Sequence, residues 1–291
     1  MEKITIGVPV YNGADDLAEC LECLLAQTYT NLDIRIYDNA STDETGNIAL
    51  AYASRDPRIS YIRHPENIRA MPNFHRVICD ATTKYVMWRA HDDLSSPDYV
   101  EKLHKALLEN HDAKLAVATN LFVRPNGKQV LRKPQLFKRT GLQSIIQATH
   151  QASAGWFYGL WDRETLRRDF ESAWANFPHA WALDFLAIYP AILDQAVVAV
   201  PHTTFIQRYK VKSYTPTAGT KPRIADMLVM RRQFKAQCLC FIDERKFSLF
   251  ERAALKLDLL WFVDKRVYTL KKIIKQKLLG DKAPRDTKNE F

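Results

Sequence analysis

Glycine is scarce in this chain of 291 residues, which contains nine glycines. No Gly-x-Gly triplet occurs, so the dinucleotide-binding turn of Rossmann-type proteins is disfavoured, and a Walker phosphate loop is missing as well. No run of about twenty apolar residues occurs, so we expect no membrane-spanning segment. The first residues lack a signal-peptide pattern, and we therefore expect a cytoplasmic protein.

Cysteine is also sparse, and its number, five, is odd. An odd count in a cytoplasmic chain argues against a disulfide framework. Cys20 and Cys23 form a Cys-x-x-Cys pair inside a helical pattern, while Cys238 and Cys240 follow more than two hundred residues later. A zinc site built from these four thiols is one interpretation, and packing in the core is the one we favour.

Acidic residues are too few in the last quarter of the chain to balance its basic residues. Residues 221–291 hold 18 of the 42 Lys and Arg residues and nine of the 33 Asp and Glu residues. This excess equals the net charge of +9 of the whole chain, so residues 1–220 are formally neutral. We predict two parts with different partners, 1–220 and 221–291.

Strands and helices alternate along the first 120 residues. This order predicts an α/β fold with a mostly parallel central sheet and helices on both faces. Predicted strands cover 4–10, 32–37, 59–63, 85–88 and 115–118, and predicted helices cover 14–27, 42–54, 73–80 and 97–110. Further on, we predict a loop or hairpin at 129–140, strands at 156–161 and 197–200, helices at 164–170 and 183–193, a helical region from 224 to about 279, and disorder at 280–291.

Two adjacent carboxylates, Asp92 and Asp93, follow the predicted buried strand 85–88. Paired acids at the end of a buried strand are costly unless a positive group meets them. Ligands of open α/β sheets bind at the carboxyl ends of strands, and hard oxygen ligands suit Mg²⁺ or Mn²⁺. A helix N-cap with a spare acid explains the same residues, and both interpretations remain open here.

Two earlier strand ends also carry polar side chains. Tyr11 and Asn12 follow the first strand, where they can hold a base or ribose or form an ordinary Asn-Gly turn. Asp38 directly ends the second strand, where a carboxylate can accept from a base N–H or a ribose hydroxyl.

These motifs together resemble family-2 glycosyltransferases of the GT-A fold, the nucleotide-diphospho-sugar transferase fold, over roughly residues 3–215. The likeness is greatest to the bacterial branch that builds capsules, O-antigens and other surface glycans. The residues that carry it are Pro9-Val10-Tyr11-Asn12, Asp38-Asn39-Ala40-Ser41-Thr42-Asp43, Asn67, Asn73 and Asp92-Asp93-Leu94-Ser95-Ser96-Pro97.

The resemblance implies a donor site for a nucleotide-diphosphate sugar, most simply a UDP-sugar. It implies that Asp93 binds the Mn²⁺ or Mg²⁺ that bridges the diphosphate, and that Asp92 faces ribose or sugar. Many members have a further Asp at the position of Ala90, so this chain offers the metal fewer ligands. Residues expected around the nucleotide and phosphates are Pro9, Val10, Tyr11, Asp38, Asn67 and Arg69, the last also explained as a solvated surface residue.

Segment 207–213 resembles the family's Tyr-Arg-x-His-x-x-Ser segment, in which the His is a candidate metal ligand. Lys210 replaces that His in this chain, and His202 is an alternative ligand. Lys210 or Arg208 can instead neutralise the departing diphosphate directly.

The resemblance also implies a catalytic base at the start of a helix in the second half. Asp184 is the candidate, although Leu183 stands where a second acid is common, and a helix cap explains Asp184 as well. Trp156, His179 and Trp181 lie in an aromatic segment that can stack on an acceptor sugar or pack in the core.

The basic C-terminal part joins amphipathic patterns, such as Phe247, Phe250, Ala254, Leu257 and Trp261, to clustered lysines. It can lie on an anionic membrane surface, at the inner face of the cell membrane, or pack on the catalytic part or on a second subunit. No nucleic-acid recognition motif occurs, and we expect no nucleic-acid partner.

The sequence therefore predicts a metal-dependent inverting glycosyltransferase that acts on a saccharide or lipid-linked saccharide acceptor. Two alternatives remain. A nucleotidyltransferase would need a glycine-rich basic loop after the first strand, which this chain lacks. A non-catalytic, membrane-associated scaffold would explain Ala90 and Leu183, but not the retention of Asp38, Asp92, Asp93 and Asp184.

Overall fold

The computed structural model describes residues 1–135, 140–209 and 222–279. Its first half alternates strands with helices, as the sequence predicts. The elements of this half are β1 (Ile4–Val10), α1 (Leu17–Leu25), β2 (Leu32–Asp38), α2 (Thr45–Arg55), β3 (Ile59–Arg63), α3 (Ala70–Asp80), β4 (Tyr85–Trp88), β5 (Leu94–Ser95) and α4 (Tyr99–Glu109).

The second half is mixed. Its elements are β6 (Leu115–Val123), β7 (Gln129–Arg132), α5 (Leu142–Gln151), a 3₁₀ helix (Ala154–Tyr158), β8 (Leu160–Asp162), α6 (Arg163–Asn176), α7 (Leu183–Leu193), β9 (Val197–Arg208), α8 (Ile224–Asp243), α9 (Leu249–Arg266) and α10 (Leu270–Leu279).

The second half departs from the prediction in three elements. The aromatic strand predicted at 156–161 is wrong, because the 3₁₀ helix occupies most of it and β8 is short. The aromatic side chains are buried, and burial in either kind of element gives the same pattern. Helix α5 was not predicted. Strand β9 extends eight residues beyond the predicted strand 197–200 and ends at Arg208. The loop or hairpin predicted at 129–140 is confirmed only in that β7 pairs antiparallel with β6; the turn of this hairpin lies before residue 129, and residues 136–139 lie outside the described residues.

The nine strands found in the described residues form one sheet, in the order β3-β2-β1-β4-β8-β6-β9-β5, with β7 beside β6. Strands β1, β2, β3, β4, β6 and β9 share one direction, and β5, β7 and β8 run against it. The prediction of a mostly parallel sheet is thus confirmed. The carboxyl ends of the six parallel strands meet at one edge, which is where α/β folds bind ligands.

The core of this sheet is built on β1, whose seven residues are all buried. Helix α3 approaches β1 closely at Gly7, where an added Cβ would lie 2.1 Å from Val77 Cγ1. Gly7 is therefore required by packing, because any side chain would displace α3 from the sheet.

The described residues divide into two compact units. Unit 1 contains those of Met1–Ser172 and Ala187–Val211, and unit 2 contains those of Ala173–Leu186 and Lys212–Phe291. The predicted division at residue 220 did not anticipate that 173–186 belong with the C-terminal helices. These residues carry His179, Trp181 and Asp184.

Helices α8, α9 and α10 form the described C-terminal part of unit 2. Helix α9 begins with a capping box, in which Ser248 Oγ accepts from the Glu251 N–H at 3.2 Å and Glu251 Oε2 accepts from the Ser248 N–H at 2.9 Å. Among the described residues, no helix is both long and apolar enough to cross a membrane. The predicted disorder at 280–291 lies outside the described residues.

The Gly7→Ala substitution tests the close packing of α3 on β1. We expect it to lower the free energy of unfolding by about 1–3 kcal/mol, because the new methyl group overlaps the Val77 side chain. Urea denaturation measures this cost. Adding Val77→Ala should recover part of the loss, and strictly additive costs of the two substitutions would contradict the proposed overlap.

Candidate active site

The turns that follow β1 and β2 are joined by hydrogen bonds. The Asn12 N–H donates to Ser41 Oγ and the Gly13 N–H to Thr45 Oγ1, both at 2.9 Å. Asn12 Oδ1 accepts from the Thr42 N–H at 2.8 Å, and Asn12 adopts a left-handed backbone with φ 48°. The two turns therefore form one polar surface at the carboxyl edge of the sheet.

Tyr11 is the exposed member of the predicted first-turn residues. Pro9 and Val10 are buried in β1, and the Val10 carbonyl accepts from the Asn39 N–H at 2.9 Å. An added Cβ at Gly13 would lie 2.4 Å from the ring of His91. The lack of a side chain at this position thus lets the loop after β4 approach the first turn.

Asp38 is completely buried, and both of its carboxylate oxygens are already hydrogen-bonded. Oδ1 accepts from the Ser41 N–H at 2.8 Å, and Oδ2 accepts from the Tyr61 hydroxyl at 2.6 Å and Arg63 Nη1 at 2.8 Å. The sequence did not indicate these two partners on β3. The role of Asp38 in nucleotide binding stays a prediction, and the structure gives it a second role in joining β2 to β3.

Asn67 and Arg69 lie in the loop between β3 and α3. Asn67 Oδ1 accepts from Asn39 Nδ2 at 3.0 Å and from the Arg69 N–H at 2.8 Å. Arg69 is exposed and has φ 72° and ψ 165°, a backbone region that residues with a Cβ rarely adopt and that costs about 1–3 kcal/mol. The side chain of Arg69 is thus presented to solvent beside the carboxyl edge, by a loop that the asparagines hold.

Helix α1 holds the loop that carries the two acids. Cys20 Sγ donates to the Ala90 carbonyl at 3.6 Å, and Cys23 Sγ accepts from the Ser95 N–H at 3.3 Å. Gln27 Nε2 donates to Ser95 Oγ at 3.3 Å. Burial raises the pKa of the Cys20 thiol, so it stays protonated and can donate. These cysteines are structural, and all five cysteines are free thiols.

Asp93 lies at the centre of this loop and is 2 % exposed. Its Oδ1 accepts from the backbone N–H of Arg208 at 2.9 Å. Burial, followed by the charge of Asp92, raises the pKa of Asp93 well above its usual range. The ionised form of Asp93 therefore needs a further positive charge, as predicted for paired acids at the end of a buried strand.

Arg208, at the carboxyl end of β9, is held by several acceptors. Its Nε donates to the Asp92 carbonyl, and its guanidinium pairs with Glu19 and, at 3.7 Å, with Asp16. The predicted contact of Arg208 with a phosphate stays a prediction. The structure instead shows it fixing the position of the acid-bearing loop.

Arg89 was not singled out from the sequence, yet its side chain is completely buried next to this loop. Nη2 donates to Ser95 Oγ at 2.9 Å, and the guanidinium lies 5.4 Å from the Tyr99 ring and 5.0 Å from the Phe205 ring. Its positive charge lowers the pKa of Asp93 and so opposes the effect of burial. An arginine directly after a buried apolar strand was the signal in the sequence.

His202 is not brought to Asp93. It lies six residues before Arg208 on β9, and the pairing of Phe205 and Ile206 with β5 falls between His202 and the Arg208 N–H that contacts Asp93. Its side chain is exposed, and its carbonyl accepts from Lys102 on α4 at 2.9 Å. The proposed substitution of His202 for the missing metal ligand is therefore corrected. Lys210, the other candidate in this segment, lies outside the described residues.

Unit 2 holds Asp184 at the start of α7. The preceding Ala182 has φ 67°, a left-handed conformation, and Asp184 Oδ1 accepts from the Phe185 N–H at 2.9 Å. Burial raises the pKa of Asp184 to about 6, against the opposing charge of Arg266. The Arg266 guanidinium lies 4.6 Å from the Phe185 ring. A carboxylate with this pKa is suited to proton transfer near neutral pH.

The three predicted acceptor residues differ in exposure. Trp156 is buried in the core of unit 1, so its ring is not available for stacking on a sugar, and this prediction is corrected. In unit 2, Trp181 is exposed and stacks on Tyr268 with ring centres 5.9 Å apart. His179 Nε2 lies 2.6 Å from Gln233 Oε1. Trp181 and His179 thus remain candidates.

Comparison with solved structures shows the GT-A fold. TarS of S. aureus, solved as residues 1–349 with UDP-GlcNAc, has a TM-score of 0.70 at 15% identity, over 95% of this chain and 76% of that chain. The mannosyltransferase PcManGT from Pyrobaculum calidifontis, solved with GDP-Man and Mn²⁺, has a TM-score of 0.55 at 16% identity, over 97% of this chain and 88% of that chain.

The chain belongs to glycosyl transferase family 2, whose sequence profile matches residues 5–188. Glycosyltransferase GlyA of Streptococcus pneumoniae is 36% identical over 116 residues, which are 40% of this chain and 16% of that protein. The uncharacterized glycosyltransferase YibD of Escherichia coli is 37% identical over 108 residues, which are 37% of this chain and 31% of that protein. The chain thus covers less than half the length of these relatives.

The Asp93→Asn substitution tests the cost of the buried carboxylate. In metal-free protein we expect it to raise the free energy of unfolding by about 1–3 kcal/mol, because an amide keeps the Arg208 contact without a buried charge. Urea denaturation at neutral pH measures the change. The exposed Asp15→Asn variant is the matched control, and an equal effect in both variants would contradict the explanation.

Proposed function

We propose that this chain transfers a sugar from a nucleotide-diphosphate donor to a hydroxyl group of a saccharide acceptor, with inversion at the anomeric carbon. One observation carries the proposal. The acids after β4 lie at the carboxyl edge of the sheet, where the turns after β1 and β2 form a polar surface. Family membership supports the same reaction class.

The charges around Asp93 support a divalent cation. Asp16, Glu19, Asp92 and Asp93 contribute four formal negative charges to this cluster, and Arg89 and Arg208 contribute two positive ones. The remaining charge of −2 fits Mg²⁺ or Mn²⁺, which typically use one or two carboxylates together with substrate phosphates. The described residues contain no group of three or more His, Cys, Asp or Glu side chains arranged to hold a metal.

In the proposed donor complex, Asp93 would hold the cation, which would neutralise the charge that develops on the departing diphosphate, and Asp92 would face the ribose or the sugar. Tyr11 and the joined turns bind the nucleoside, most simply uridine. Arg69 is exposed and can reach a phosphate, whereas Arg208 is engaged with carboxylates. Lys210 remains a second candidate for this role.

Asp184 is the proposed catalytic base. It would accept the proton of the acceptor hydroxyl as that oxygen attacks the anomeric carbon from the face opposite the diphosphate. Its pKa of about 6 keeps it mostly ionised at neutral pH. His179 and Trp181, which belong to the same unit, are proposed to contact the acceptor.

We further propose that the acceptor is a growing bacterial surface glycan and that the enzyme works at the inner face of the cell membrane. The excess of Lys and Arg in residues 221–291 supports this location, since such charges are attracted to anionic lipids.

Calorimetric titration with UDP, GDP and CDP, with and without Mn²⁺, tests the donor site. We expect one of the three diphosphates to bind at least about tenfold more tightly with Mn²⁺, because the cation would offset the negative charges of Asp93 and of the diphosphate. Asp93→Asn should remove this enhancement, and Asp15→Asn should retain it. Binding that does not depend on metal would assign phosphate recognition to Arg69 or Lys210, and absence of binding would favour a non-catalytic scaffold.

The pH dependence of turnover tests Asp184. Because the base must be ionised, kcat/KM should rise about tenfold per pH unit below about pH 6 and level off above it. Asp184→Asn should lower kcat about 10²–10⁴-fold. Arg266→Met removes a positive charge that lowers the pKa of Asp184, so it should move the acidic limb to higher pH. If the acidic limb does not move, the group that titrates in it is not Asp184.

A further inference from the structure

Helix α10 exposes an apolar stripe to solvent. Leu270, Ile274 and Leu278 follow one another at intervals of four residues, and Leu278 is 78 % exposed. Helical geometry places such residues on one face. The helix turns a different side chain, Ile273, inward, so the exposed stripe is not its packing face.

Helix α9 is apolar on two faces. Its buried face consists of Leu255, Leu259, Phe262 and Val263. A second face is exposed and includes Phe250 at 76 %, Leu257 at 71 % and Leu260 at 50 %. A helix with apolar residues on more than one side normally buries all of them. This second face is therefore suited to a surface that lies outside the chain.

The charges beside the α10 stripe are positive, whereas α9 carries both signs, with four basic residues (Arg252, Lys256, Lys265 and Arg266) and three acidic ones (Glu251, Asp258 and Asp264). Helix α10 contains Lys271, Lys272, Lys275 and Lys277 and no Asp or Glu. On α9, the exposed Lys265 lies near the carboxyl end of the helix. An apolar face flanked by lysines is the composition of helices that lie in the interfacial region of a bilayer.

We propose that the exposed face of α9 and the stripe of α10 form an interfacial surface that docks onto an anionic lipid bilayer, with the apolar side chains among the acyl chains and the lysines at the headgroups. Charge complementarity selects this occupant. A second copy of the chain would bring the α10 lysines together, which like-charge repulsion disfavours.

The proposed interfacial surface has a consequence for the class of acceptor. His179, Trp181 and Asp184 lie in the same compact unit as α9 and α10, so docking would hold the unit that carries these residues at the bilayer. A saccharide carried on a membrane lipid is the class of acceptor that such a unit would meet. This consequence rests on the proposed function, whereas the docking itself does not.

Sedimentation with lipid vesicles tests the docking. We expect the full chain to bind vesicles of phosphatidylcholine containing phosphatidylglycerol, and to bind phosphatidylcholine alone at least about tenfold less. The triple variants Leu270→Ser/Ile274→Ser/Leu278→Ser and Phe250→Ser/Leu257→Ser/Leu260→Ser should each weaken binding to the anionic vesicles about tenfold or more. Lys271→Gln/Lys275→Gln/Lys277→Gln should weaken it and remove most of its salt dependence.

The matched control replaces three exposed apolar residues of unit 1, in the variant Leu50→Ser/Leu108→Ser/Leu131→Ser. It should bind vesicles as the unaltered chain does. Equal loss in the control, or no binding to anionic vesicles, would overturn the proposal. Light scattering that shows a dimer, converted to a monomer by the α9 or α10 variant, would assign the faces to a second copy instead. Nucleotide binding by the α9 and α10 variants, measured by calorimetry, should be unchanged. The vesicle test and the donor-site test can therefore fail independently.

Discussion

Burial of a carboxylate beside a second carboxylate is the constraint around which the candidate donor site is organised. Asp93 is held in this position although burial disfavours its ionised form. The surrounding contacts are polar and join residues that are far apart in the sequence. The Arg208 backbone N–H donates to the Asp93 carboxylate and its Nε donates to the Asp92 backbone carbonyl, and α1 holds the ends of the loop through two thiols and an amide. The remaining free-energy cost is one that the proposed substrate and cation would offset on binding.

Arg208 and Arg89 affect the two acids in different ways. Arg208 is tied to Glu19 and Asp16, so much of its charge is neutralised within the protein. Arg89 has no carboxylate partner within 4 Å among the described residues, and its charge acts on Asp93 from beneath the loop. Arg208 thus fixes the position of the loop, and Arg89 lowers the electrostatic cost of ionising Asp93. Together they reduce the repulsion between the acids without cancelling the negative charge that attracts a cation.

The sequence predicted those features that depend on local pattern. Strand and helix order in residues 1–120, the mostly parallel sheet and α7 follow from periodicity and are confirmed. Features set by contacts between distant residues could not be predicted. The engagement of Asp38 depends on Tyr61 and Arg63 of β3, and the register of β9 decides that Arg208, rather than His202, meets Asp93. Likewise, aromatic patterns report burial but do not distinguish the 3₁₀ helix at Trp156 from a strand.

The two faces of α9 separate the requirements of folding from those of function. Packing within unit 2 accounts for one apolar face, and a stable fold would be served by polar residues on the other. Exposed Leu and Phe side chains cost solubility and favour aggregation, so their presence implies a surface that covers them during function. The flanking lysines favour a lipid bilayer over a second copy of the chain as this surface, since they oppose contact with a like-charged copy and favour anionic lipid headgroups. The charge distribution of the chain fits the same division. The proposed nucleotide-diphosphate donor would carry negative charge to unit 1, while the entire positive excess of the chain lies in residues 221–291, which include α9 and α10.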